Sequence, residues 1–169
     1  MVKKIPRDYN KWNKKGAKLF SINKFTEAIE CYNKSLKLNT SYIKAWYNKG
    51  LALEELKRYQ EAIDCYNKYL EIDSNDIDTW HNKGNALYQL GKYEEATQCF
   101  DKILQIDAND IDAWLNKGNI LHNLKRYKES IESFEKALEI NPNHVEAEKL
   151  KELAIINSTF NKRLNNYFN

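Results

Sequence analysis

No run of apolar residues in this chain comes near the ~18 that a membrane-spanning helix needs. The opening "MVKKIPRDYN" is basic and lacks the apolar stretch of a secretory signal. Both absences point to a cytoplasmic protein that does not enter a membrane. Histidine is sparse: His81, His122 and His144 are not spaced as a metal pair on one helix, and none has a cysteine or acidic partner in a known ligand pattern. The five glycines follow no phosphate-loop pattern. With no catalytic constellation and no metal or cofactor motif, the expectation is a binding protein rather than an enzyme, with no cofactor.

What is present is a period. Trp12, Trp46, Trp80 and Trp114 stand 34 residues apart, and Gly16, Gly50, Gly84 and Gly118 keep the same step. Aromatics recur at Phe25, Tyr59, Tyr93 and Tyr127, small residues at Ala28, Ala62, Ala96 and Ser130, and aromatics again at Tyr32, Tyr66, Phe100 and Phe134. The two prolines, Pro6 and Pro142, are 136 apart, four periods, and bracket the array. Cys31, Cys65 and Cys99 share the period, which puts equivalents about a helix diameter apart, beyond the ~7 Å reach of a disulfide. They are expected to be reduced packing residues. The units run over 9–42, 43–76, 77–110 and 111–144, after a basic lead-in over 1–8 and before a capping helix and tail over 145–169.

Each unit reads as two helices. Trp80, Gly84, Leu87 and Leu90 follow the spacing of an apolar helical stripe, with Asp76 ahead as a candidate N-cap, until "LGKY" breaks it. Tyr93, Ala96, Phe100, Ile103 and Leu104 then repeat the helical spacing until "DAND" supplies the next turn. Helix pairs with short links and no strand signal make an all-α solenoid, each unit burying its apolar face against its neighbours. Lys15, Lys49, Lys83 and Lys117, three after each Trp, fall on the flank of the stripe, where their stems can cover apolar surface.

W-x-x-x-G, an aromatic nine places later, then A-x-x-x-[YF], all at one period over about residues 9–144, resembles the tetratricopeptide repeat. The resemblance implies a right-handed superhelical solenoid of antiparallel helix pairs, with first helices lining a concave groove. The chain departs from the family in placing Lys where Leu usually precedes the Gly. It also places Tyr69 and Ile103 where the second helix usually has a small residue, although Ser35 and Ala137 stay small.

The pentads "WYNKG", "WHNKG" and "WLNKG" hold an Asn two places after the Trp: Asn48, Asn82 and Asn116. At about 100° per residue these lie about 200° from the Trp, away from the core stripe. In the implied groove they form a ladder, joined by Asn85, Asn119, Gln89 and Asn123. An Asn amide matches the N–H and C=O of an extended peptide and reads no side chain. Tyr47, His81 and Leu115 form one flanking row and Glu54, Tyr88 and His122 another. Lys44 lies near the entrance, while Asp78, Asp112, Glu54 and Glu55 make the middle acidic. The expected partner is therefore a peptide or protein segment with basic residues and an apolar anchor on Tyr47 or Tyr88. The competing reading is that the ladder reflects an Asn-rich composition copied by repeat duplication.

Members of the family that clamp a C-terminal carboxylate imply a Lys and Asn one and five after the first Trp of the site and basic residues two before and two after the third. Here those places hold Asn13 and Ala17 or Tyr47 and Leu51, then Asp78 and Asn82 or Asp112 and Asn116. Such a clamp is not expected. Residues 1 to 18 carry six Lys and one Arg against one Asp, so the remainder of a +3 chain is net acidic, which argues against a nucleic-acid groove. Self-association through the solenoid ends is the alternative architectural role. After Pro142, Ala147, Leu150, Leu153, Ala154, Ile156, Phe160 and Leu164 keep a helical apolar spacing. This predicts a capping helix over about 144–165 that covers the fourth repeat.

Overall fold

The computed structural model describes residues 8–168, with side chains through Arg163. The lead-in before Asp8 and the Leu164 side chain lie outside the described residues. Among those described, the helices are α1 (Asp8–Phe20), α2 (Phe25–Leu38), α3 (Ile43–Glu55), α4 (Tyr59–Leu70), α5 (Ile77–Gln89), α6 (Tyr93–Ile106), α7 (Ile111–Asn123), α8 (Tyr127–Ile140) and α9 (Val145–Phe168). No strand occurs among them. The chain divides into two compact units, α1 to α5 ending at Leu90 and α6 to α9 starting at Gly91.

The breaks between helices are backbone events that recur with the repeat. Asn23, Lys57, Gly91 and Lys125 occupy one repeat place and have φ of 59°, 57°, 73° and 58°. A left-handed residue after a helix ends it and lets the chain reverse. The corresponding place after α9 begins is Thr159, a β-branched residue for which positive φ is a true outlier. Its hydroxyl instead donates to the Ile155 carbonyl at 2.9 Å, inside the helix. The break is lost, and α9 runs for 24 residues against 13 for α7.

The repeated residues divide the work of packing. Trp46, Trp80 and Trp114 donate their indole Nε1–H to the carbonyls of Thr40, Ser74 and Ala108, each six residues back, at 2.8, 2.9 and 3.0 Å. Each Trp thus pins a first helix to the turn before it. Gly16, Gly50 and Gly118 lie against the rings of Tyr32, Tyr66 and Phe134, all of which are buried. The second-helix place that is small in one repeat and bulky in another makes different contacts in each. Ser35 is buried and donates to the Tyr9 carbonyl at 2.7 Å, whereas the Tyr69 ring stacks near Tyr47 at 5.7 Å between centroids. The three cysteines are free and buried, and burial pushes the Cys65 thiol up to about 11. Asp76 precedes α5, but its carboxylate accepts from the Thr79 hydroxyl rather than a backbone N–H. The equivalent Asp110 does cap α7, accepting from the Ala113 N–H at 2.7 Å.

The pentad lysines lie over the pentad tryptophans. The Nζ of Lys15, Lys49, Lys83 and Lys117 is 5.4, 5.6, 4.8 and 5.4 Å from the ring centroid of the Trp three residues earlier. The i, i+3 spacing on a helix brings cation and ring together. Lys83→Leu exchanges a cation–π contact worth about 0.5–1 kcal/mol at an exposed site for apolar contact of similar size. The expected outcome in a denaturant melt is a stability within about 1 kcal/mol of the parent. Loss of partner binding at unchanged stability would instead make Lys83 a binding residue.

Helix α9 covers the preceding pair with only part of its apolar spacing. Ala147 and Ala154 are fully buried and pack with Leu150 against Leu115, Phe134 and Ala137. Leu153, Ile156 and Phe160 do not cover the fourth repeat; they stay 46%, 63% and 62% exposed. They lie about 80–140° from the position of the repeat Trp on the helical wheel, on a different face from Ala147 and Ala154.

Candidate functional site

In the unit ending at Leu90, three first helices, α1, α3 and α5, stand side by side. Asn48 on α3 donates an amide N–H to the Oδ1 of Asn13 on α1 at 3.2 Å, and Asn82 on α5 donates to the Tyr47 hydroxyl on α3 at 3.2 Å. In each case the residue two after one Trp bonds the residue one after the Trp before it, a separation of 35. The same separation joins the second unit: Asn157 on α9 meets Nε2 of His122 on α7 at 2.9 Å. These bonds show that α9 stands beside α7 as α5 does beside α3. One N–H of Asn48 and of Asn82 is thus committed to the neighbouring helix. An Asn amide carries two N–H donors and an acceptor oxygen, so each ladder rung has bonding capacity beyond its neighbour.

Tyr47 is the centre of this face. Its ring lies 6.3 Å from that of Tyr66 and 5.7 Å from that of Tyr69, which fixes it from below. Burial raises the Tyr47 hydroxyl above its ordinary range, the Asn82 bond pulls it back, and the carboxylates of Asp78, Asp76 and Glu54 raise it further. Three acidic groups therefore act on one half-buried phenol. Glu54 accepts from the Tyr66 hydroxyl; its own pKa is raised, mainly by burial and further by Glu55, while the Tyr66 bond opposes the shift.

Around that centre Asn48, His81, Asn82 and Tyr88 are half-buried, while Lys44, Asp78 and Asn85 are exposed. In the second unit α7 carries Asp112 exposed and Asn116, Asn119 and His122 half-buried; Leu115 is buried under α9 and does not flank an open face. The sequence alone does not assign a supporting role on this face to Asn13, which is buried at 7% exposure, to Tyr66 or to Asn157. The readable signal was the recurrence of a hydrogen-bonding side chain one place after the Trp, at Asn13 and Tyr47. Among the described residues no group of three or more His, Cys, Asp or Glu is placed to hold a metal ion, and no helix is long and apolar enough to cross a membrane.

Helix pairs that recur with the sequence period, with Gly16, Gly50 and Gly118 each under an aromatic ring, define a helical-repeat protein. The Tetratricopeptide repeat family model matches residues 43–76, 77–110 and 111–144, and a second TPR repeat model matches 16–57. The chain belongs to the tetratricopeptide repeat family. No curated protein matches it at a significant level. Among solved structures it is similar to MamA (TM-score 0.84, 19% identity, 95% of this chain and 87% of that one). It is also similar to YrrB, described as a TPR protein with an unusual peptide-binding site (0.73, 24%, 85% and 74%). A third is the first TPR of Spaghetti (RPAP3), bound to the HSP90 peptide SRMEEVD (0.67, 23%, 73% and 98%). At these identities the likeness is one of fold.

Proposed function

We infer that the protein is a protein-interaction scaffold that holds an extended peptide or protein segment on its first helices, and that the segment carries basic residues beside an apolar anchor. Membership of the tetratricopeptide repeat family supports the scaffold role. Peptide-bound and peptide-binding structures of the same fold support an extended ligand. The observation that carries the choice of ligand is Tyr47: an aromatic anchor point, bonded by Asn82, with Asp78, Asp76 and Glu54 acting on it. An acidic ligand such as SRMEEVD would meet those carboxylates with like charge, whereas Lys or Arg would be attracted. Asn48 and Asn82 are the backbone-reading rungs on this unit, and Asp112, Asn116, Asn119 and His122 present the same chemistry on α7.

Calorimetry with a peptide library tests the reading. Peptides with Lys or Arg next to Leu, Phe or Tyr are expected to bind, and Asp78→Lys to weaken them roughly tenfold while admitting acidic ones. Because Asn82 also bonds Tyr47, Asn82→Ala is expected to lower both affinity and stability, each by about 0.5–1.5 kcal/mol. Selection of mainly acidic peptides, or an Asn82→Ala chain that is destabilised yet binds with full affinity, would assign the ladder to the fold alone.

A further inference from the structure

We propose that the exposed apolar stripe of α9 pairs with the same stripe of a second copy of this chain, antiparallel, to make a closed dimer. Three observations lead there. First, α9 outruns its support. Asn157 is level with His122, next to the last residue of α7, so about ten residues, some 15 Å of helix, continue past the end of its neighbour. A helical extension of this length is marginal in water without tertiary packing.

Second, the stripe cannot be covered in the way the repeats cover one another. The first helices α1, α3 and α7 each receive a second-helix aromatic over a glycine; in α9 the glycine place is Glu152, and even a Cβ at Gly118 would stand 2.5 Å from the Phe134 ring. Head-to-tail stacking onto α1 of another copy is also disfavoured. That helix presents Lys11, Lys14, Lys15 and Lys18 around one shared depression, and burying four ammonium groups under Leu153, Ile156 and Phe160 leaves them unpaired.

Third, the flanking charges suit self-pairing. Glu152 and Arg163, both exposed, lie about 40° and 60° from the repeat-Trp direction, on the same edge of the stripe. They are three turns apart, with Ile156 and Phe160 between. When two copies of α9 run antiparallel about a point between Asn157 and Ser158, Glu152 of each meets the partner's Arg163, twice over, and the apolar residues face one another. Such an isologous contact closes at two copies. A contact along a single helix belongs with the weak, transient interfaces, at the low end of about 1,200 Å² or less.

Sedimentation equilibrium of the full chain, from low micromolar to submillimolar concentration, is expected to show monomer and dimer only. Ile156→Asp, at a 63% exposed position, is expected to weaken the dimer by roughly tenfold or more with no change in melting temperature of the dilute monomer. Arg163→Glu should weaken it, and the double change Glu152→Arg with Arg163→Glu should restore it. A chain that stays monomeric throughout, open-ended polymers, a dimer indifferent to Ile156→Asp, a double swap that fails to restore, or a monomer whose stripe instead binds anionic vesicles would each overturn the proposal. Peptide binding at Tyr47 is read separately by calorimetry on the Ile156→Asp monomer and is expected to persist there.

Discussion

Removing α9 by ending the chain after Asn143 is expected to lower the melting temperature by about 10 °C or more, or to leave aggregates. The helix contributes Ala147, Leu150 and Ala154 to the cluster that buries Leu115, Phe134 and Ala137. Without it Leu115, now 7% exposed, faces water, and each large side chain uncovered forfeits about 1.5–3 kcal/mol. Two such losses equal about 3–6 kcal/mol, and each kcal/mol moves the midpoint of a chain this size by some 2–4 °C. Part of the loss is returned because the residues of α9 no longer need ordering. Differential scanning calorimetry of the two chains at dilute concentration measures the difference. A truncated chain that is monomeric and melts with the parent would show that α7 and α8 do not need this cover.

The second large effect is at the repeat glycine. A Cβ on Gly118 would lie 2.5, 2.8 and 2.8 Å from three atoms of the Phe134 ring, closer than packed atoms stand. The ring is 1% exposed and cannot swing into solvent. Gly118→Ala gains about 1 kcal/mol of helix propensity, but overpacking of a tight core costs about 1–3 kcal/mol and more where the ring cannot move. A net destabilisation of about 1–3 kcal/mol in urea melts is expected. Ser130 worsens the fit, because its hydroxyl holds the Gly118 carbonyl at 2.8 Å and keeps the two helices close. The mechanism has its own signature: Phe134→Leu destabilises alone, yet combined with Gly118→Ala the total should fall well short of the sum, since each change makes room for the other. Strict additivity would place the cause elsewhere.

The parts of the fold that could be read in advance are those in which packing repeats with the chain. Trp, Gly and the aromatic under the Gly are fixed by contacts made once per unit, so their period survives in the sequence and announces helix pairs. The spacing of Leu153, Ile156 and Phe160 was equally visible, but an apolar face looks the same whether it is covered or waiting. What settles it is Thr159, which refuses the left-handed turn that Asn23, Lys57, Gly91 and Lys125 accept. At the site the ladder residues were visible as a recurrence, whereas their bonding was not. The partner of Asn48 is an Asn and that of Asn82 a Tyr, so the acceptor changes type while the geometry stays constant. The lysine place is legible at i, i+3 from each Trp, whereas the ammonium over the ring depends on the rotamer, which the period does not carry.

The 35-residue offset of the helix-to-helix bonds imposes a grammar on the array. A unit with a partner at both places, such as 43–76 with Tyr47 and Asn48, accepts a bond from the helix pair after it and donates one to the helix pair before it. The helix pair before it, α1 and α2, offers Asn13 as an acceptor but carries Lys14 where a donor amide would reach back. Duplicating residues 43–76 in tandem would insert a link that both neighbours can grasp, because its Asn would find the Tyr of the copy before it. Duplicating α1 and α2 would insert a link whose backward donor is the Lys14 ammonium rather than an amide. Growth of such a chain by internal copying is therefore favoured through units that carry both an acceptor and a donor amide.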